Sequence, residues 1–246
     1  MNVKVTTMKT SPIFAKRIAC LSHGLAASKT RWLIMALLFW LVPLPAAESG
    51  TRFYTQPGGS VKIQGDCTIH QYEVHGKEVG GEIEFGAGFP PRLPQTAKLG
   101  TLPAHLEISI PVRSLQYGSG SAMDKALHSI LKSEENPRIH FRSRKLNLKV
   151  VPQVSGMPYG IEAHGELVVA GVTNQLSMPM EVLPLVDGKL KITGSTSVNL
   201  SDFGIEPPRI KAAGKDAADF YIAYGDELKV AIEWYVEQGP AKKGKL

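Results

Sequence analysis

The segment Asp66-Cys-Thr-Ile-His-Gln-Tyr-Glu-Val-His75 carries the densest set of side chains able to move protons or bind metals. Cys67 and His70 have a Cys-x-x-His spacing, and both are zinc-ligand types. On a strand, however, His70 and His75 are an odd number of residues apart and face opposite sides. No second Cys-x-x-His and no Cys-x-x-Cys-His haem attachment accompanies them, so no metal and no cofactor is expected. His70 then reads as a hydrogen-bonded residue at the rim of a fold. Nucleophilic chemistry has one other candidate, Ser119 or Ser121 with His128 nearby. Gly118-Ser-Gly-Ser121 lacks the strand-to-helix register of a Gly-x-Ser-x-Gly elbow. Ser121 followed by Asp124 reads instead as a helix cap. No catalytic residue is expected and the chain is read as a non-enzyme, with a small hydrolase kept as an alternative.

The elements that carry these residues are strands. Leu190, Ile192, Gly194, Thr196, Val198 and Leu200 alternate with Lys189, Lys191, Thr193, Ser195, Ser197 and Asn199, the period of a strand with one buried face. The same period runs through Val61–Gly65, Val79–Phe85, Leu106–Val112, Ile139–Phe141, Ile161–Val169, Leu176–Val182 and Leu228–Val236. Leu146, Leu148 and Val150 have the opposite parity to Phe141, which predicts a bulge near Ser143–Lys145. Turns are predicted at Gly171-Val-Thr-Asn174 and at Asp187-Gly188. Met123, Ala126, Leu127, Ile130 and Leu131 recur at helical spacing, and Asn136-Pro137 is expected to end that helix. Gly86–Gly100 and Phe203–Asp219 are long loops. The fold class is therefore all-β, an eight-stranded antiparallel lipocalin-like β-barrel with one short amphipathic helix. Eight strands enclose just enough space for packed side chains or one small ligand.

The chain has 28 basic and 22 acidic residues, and six of the basic ones lie among residues 1–47 with no acidic partner. The apolar run Trp32–Ala47 follows them and ends in small residues. Residues 1–47 read as a secretory signal peptide, too short and too proline-broken for a stable membrane span. Its removal leaves 22 basic against 22 acidic residues, so nucleic acid loses its electrostatic basis as a partner. The expected location is periplasmic or secreted. Residues 48–59 are read as a linker, 60–238 as the barrel and 239–246 as a basic disordered tail. Cys67 is the only cysteine left after cleavage, so no intrachain disulfide forms. It is expected to be buried as a small hydrophobe; exposure would instead allow pairing between chains in a homodimer.

Four stretches together resemble the YceI-like family of secreted, lipocalin-like polyisoprenoid-binding barrels. They are Gly65-Asp-Cys-Thr-Ile-His-Gln-Tyr72; Met123-Asp-Lys-Ala-Leu-His128 with Asn136-Pro-Arg-Ile-His-Phe-Arg-Ser143; Gly165-Glu-Leu-Val-Val-Ala-Gly-Val-Thr173; and Asp202-Phe-Gly-Ile205. Cys67 stands where the family usually has Ser, and Tyr72 where it usually has Trp. The resemblance implies a long apolar tunnel holding an isoprenoid or fatty chain. Phe85, Ile108, Phe141, Leu167, Val169, Met178, Met180, Ile192 and Trp234 share the inward parity, which by itself fits a packed core as well as a tunnel lining. With the resemblance they become the expected ligand contacts, and His70, Tyr72 and Asp202 the expected head-group contacts at the mouth. The expected function is the binding of an amphipathic lipid. The alternative is a structural barrel with a filled interior that meets a protein partner.

Overall fold

A computed structural model describes residues 50–91, 96–118, 122–211 and 221–239. The predicted leader, Ser119, Ser121 and residues 240–246 of the predicted tail lie outside the described residues. The elements in order are β1 (Thr51–Cys67), β2 (Gln71–Gly76), β3 (Gly80–Phe85), β4 (Gly100–Pro111), β5 (Leu115–Gln116), α1 (Ala122–Ile130), β6 (Arg138–Val150), β7 (Tyr159–Val169), β8 (Val172–Pro184), β9 (Lys189–Asn199), β10 (Arg209–Lys211) and β11 (Tyr221–Gln238).

Eight of these strands close into an antiparallel barrel in the order β11-β9-β8-β7-β6-β4-β3-β1, sealed by β1 against β11. The first part of β1 pairs with β3, and its later part, Val61–Asp66, pairs with β2. Residues 51–59, expected as a linker, are thus barrel residues: Phe53–Gln56 already pair with Tyr235–Gln238 of β11. Val, Ile and Leu point inward, while outward residues form exposed ion pairs such as Lys62–Glu73 (2.7 Å), Lys149–Glu162 (2.9 Å) and Lys191–Glu233 (2.7 Å). Solvent screens such exposed pairs, so inward burial dominates stability.

The predicted bulge sits between Ser143 and Lys145, where Arg144 is the extra residue of β6 against Gly165 and His164 of β7. The buried Ser143 hydroxyl ties it, 2.7 Å from the His164 carbonyl oxygen and 2.9 Å from that of Lys145. A second shift between Leu148 and Val150 turns Val150 out to solvent, against its predicted inward parity.

The β7–β8 turn is Ala170-Gly171, both with positive φ (49° and 84°), one step earlier than expected; Val172–Asn174 already belong to β8. The β8–β9 turn uses Asp187 and Gly188, also at positive φ. Helix α1 stops well before Asn136-Pro137. Lys132 takes a left-handed φ of 51°, and the amides of Lys132 and Ser133 donate to the carbonyls of Ser129 and His128 in a Schellman closure. Part of the expected loop Phe203–Asp219 is strand, because β10 pairs with the start of β11.

Candidate functional site

The barrel interior divides across its waist. On one side it is filled: Phe53, Phe85, Leu106, Leu146, Leu148, Tyr159, Ile161, Met180, Val182, Leu190, Ile192, Trp234 and Val236 are buried. Ring contacts run from Phe53 to Phe85 (6.0 Å), Phe85 to Phe89 (4.7 Å) and Phe89 to Tyr159 (5.2 Å), so the loop residue Phe89 stoppers this end. Trp234 donates its indole N–H to Thr55 Oγ1 at 2.9 Å, which satisfies the indole inside the stopper.

On the other side the interior is hollow. A cavity of about 280 Å³ is bounded by Val61, Ile63 and Val74, by Ile108, Ile110, Ile139 and Phe141, and by Leu167, Val169, Leu176, Met178, Val198, Leu228, Val230 and Ile232. Met123, Ala126, Leu127 and Ile130 of α1 lay their apolar face over it, and Phe203, Pro208 and Ile210 form another wall. The volume lies near the lower end of the roughly 300–1,000 Å³ of small-molecule sites. Among the described residues no charged side chain lines the cavity; Thr196, Asn199, Tyr72, Tyr117 and Tyr224 supply its polar atoms.

Three of those are tyrosines gathered at one place. The Tyr72 ring lies 5.9 Å from that of Tyr117 and 5.1 Å from that of Tyr224. Burial, with a smaller contribution from Tyr224, pushes the Tyr72 phenol up to about 12; burial also raises Tyr224. Both hydroxyls therefore stay protonated at neutral pH and can donate to an acceptor in the cavity. His70 lies outside the cavity, its Nε2 3.2 Å from the Tyr117 hydroxyl and its Nδ1 3.7 Å from the Cys67 sulfur. The segment that looked like a metal centre is split. Glu73 pairs with Lys62, Gln64 and His75 on the outer face of β2, which holds its carboxyl below the usual range, Lys62 contributing most. Among the described residues no group of three or more His, Cys, Asp or Glu side chains converges as a metal site would require. His128 is occupied structurally, with Nε2 2.8 Å from the Leu115 carbonyl oxygen. No described helix is long and apolar enough to cross a membrane.

A family model described as the YceI-like domain matches residues 54–235. The chain belongs to the YceI-like family. Among solved structures it is similar to a polyisoprenoid binding domain from Saccharophagus degradans implicated in plant cell wall breakdown. That match has 8% identity, covers 76% of this chain and 98% of that one, and has a TM-score of 0.53. It is also similar to BcnA of Burkholderia cenocepacia, with 15% identity, 72% and 95% coverage and a TM-score of 0.49. A YCEI protein of Campylobacter jejuni has 16% identity, 70% and 88% coverage and a TM-score of 0.43. No curated protein matches.

Within this YceI-like barrel the residues expected to touch ligand separate by level. Tyr72, Ile108, Phe141, Leu167, Val169 and Met178 line the cavity. Phe85, Met180, Ile192 and Trp234 belong to the filled side, because the side chains facing them across the barrel are bulky. Asp202 is exposed in the turn after β9, where its carboxylate accepts from Asn199 Nδ2 at 3.3 Å and its carbonyl from Asn174 Nδ2. The tunnel implied by the resemblance thus occupies only one half of the barrel. Tyr117 and Tyr224 were missed. Tyr224 has the same parity as Leu228, so extending the alternation of β11 backward would have reached it; Tyr117 lies beyond β5 and carries no periodic signal.

Proposed function

We propose that this protein binds an amphipathic lipid, with an isoprenoid or fatty chain in the cavity and an uncharged head group at the Tyr72, Tyr117 and Tyr224 hydroxyls. The observation that carries the reading is an apolar hollow with no charged lining residue among the described residues and a cluster of hydroxyl donors at its edge. Each methylene moved from water into it contributes about 0.8 kcal/mol. A carboxylate or phosphate drawn inside would lie unpaired, at a cost of several kcal/mol. The similarity to a polyisoprenoid binding domain supports the same ligand class. No nucleophile and base converge on the cavity among the described residues, which favours binding over catalysis. The basic, apolar leader at residues 1–47 supports a periplasmic or secreted site of action.

Native mass spectrometry with lipid extraction on the exported protein tests this. A co-purifying neutral lipid, displaced when Leu167→Trp fills the cavity, is the expected result. A protein that is empty and stays empty after incubation with membrane extract overturns it, in favour of a barrel that acts through a protein partner.

A further inference from the structure

The rim of the cavity carries a side-chain set that the hollow itself does not need. Among the described residues strand β10 pairs only with the start of β11, matching Arg209 with Ala223, Ile210 with Ile222 and Lys211 with Tyr221. Opposed residues in an antiparallel pair share a face. Lys211 and Tyr221 therefore project together with Arg209, while Ile210 between them turns into the cavity wall. Tyr221 is 51% exposed. Across β11, Thr68 grips Ala223, its amide 2.9 Å from the Ala223 carbonyl and its hydroxyl 3.0 Å from the Ala223 amide. That contact sets the next residue, Ile69, beside the same strand with 54% of its surface in solvent. Among the described residues neither Arg209 nor Lys211 makes an ion pair. Of the nearby carboxylates, Asp226 accepts from the Ser201 amide and hydroxyl and Asp202 from Asn199.

Two cations with no ion pair among the described residues, a half-exposed tyrosine and an exposed isoleucine at the entrance form an amphipathic edge suited to an anionic lipid surface. Tyrosine sits well at the head-group level of a bilayer, and cations near its surface gain from anionic lipids. A lipid reaching the cavity through water would expose its whole chain; one passing from a docked bilayer would not. We propose that this rim, through Ile69, Arg209, Lys211 and Tyr221, docks on an anionic phospholipid bilayer, so that lipid enters the cavity directly. The inference rests on the lipid-binding reading above.

Flotation of the exported protein with vesicles tests the docking by itself. Wild type is expected to float with phosphatidylglycerol-containing vesicles, less with pure phosphatidylcholine, and to be released by salt. Removing each cation, by Arg209→Gln and Lys211→Gln, is expected to weaken the vesicle affinity about fivefold. Ile69→Ser with Tyr221→Ser is expected to weaken it on both vesicle types. None of the four side chains lines the cavity, so uptake of farnesol from detergent micelles should match wild type in every variant, while uptake from vesicles slows. Wild type that stays off anionic vesicles, or variants that float as well as wild type, overturn the proposal. So does a wild type that stays off vesicles and forms a dimer which the same substitutions dissolve. Flotation without farnesol uptake from either source would instead overturn the lipid-binding reading and leave the surface as the only contact.

Discussion

Gly65 on β1 lies directly opposite Tyr72 on β2, and a Cβ at Gly65 would stand 2.5 Å from the Tyr72 ring carbon Cζ. The bare glycine is what lets the phenol lie flat at the cavity edge and reach Tyr117 and Tyr224. Gly65→Ala should push the ring out toward solvent. The expected outcome is a loss of about 1–3 kcal/mol in stability, the scale of overpacking a tight site. Lipid affinity should fall as well, because the donor leaves the mouth. Thermal unfolding and native mass spectrometry of the variant check the two effects separately. A variant that binds lipid as wild type does would remove Tyr72 from the site.

Tyr72 also gives a pH signature. Its folded-state value is raised to about 12 by burial, from an ordinary 10.0. The unfolded chain thus releases this proton first, and between about pH 10 and 12 the folded state binds more protons than the unfolded one. Stability must fall as pH rises through that window. Tyr72→Phe should delete the latest phenolate step in an ultraviolet titration and flatten this part of the stability curve. It should also weaken a lipid bearing a carbonyl or hydroxyl head while leaving a plain hydrocarbon unaffected.

The barrel was readable from residue types because each strand buries one face. Even the bulge was legible, since Phe141 and Leu146 cannot both point inward without an extra residue between them. The division of the interior was not. Met178 and Met180 have the same parity and nearly equal burial, yet one borders the hollow and the other the stopper. What separates them is the level reached by strands distant in sequence, set by the stagger of the whole barrel. The mouth was half legible: Tyr72 came from the motif it sits in, but its neighbours Tyr117 and Tyr224 meet it only through the fold. His70 and Asp202 were expected at the mouth on polarity alone; neither lines the cavity, and His70 meets it only through the Tyr117 hydroxyl.

Ala170 holds a φ of 49° in the two-residue β7–β8 turn, a conformation that costs an L-residue about 1–2 kcal/mol. Ala170→Gly relieves that cost but loosens the unfolded chain, by about 0.4–1 kcal/mol. The net expectation is a modest gain, up to about 1 kcal/mol, visible as a rise of roughly 2–4 °C in melting temperature for a domain of this size. Gly171→Ala is the opposite case. It adds a methyl at a φ of 84° and 3.1 Å from the Asn136 side-chain oxygen, and should lower the melting temperature.

The floor of the cavity sets the length of chain it accepts. Gly194 has no side chain there and the methionines close over it, Met180 Cγ 3.1 Å and Met178 Sδ 3.4 Å from where its Cβ would be. Unbranched methionines over a glycine form the softest part of the boundary between hollow and stopper. Met180→Ala should extend the hollow toward Ile192 and Trp234 at a cost of about 2–5 kcal/mol in the empty protein. Part of that cost should return when a longer chain fills the space, because ligand that binds only the folded state stabilises it. The check is a homologous series of isoprenoid alcohols: the longest member that raises the melting temperature should be longer for Met180→Ala than for wild type. A cutoff that does not move would mean that the ligand chain stops short of the floor and that its length is set at the mouth.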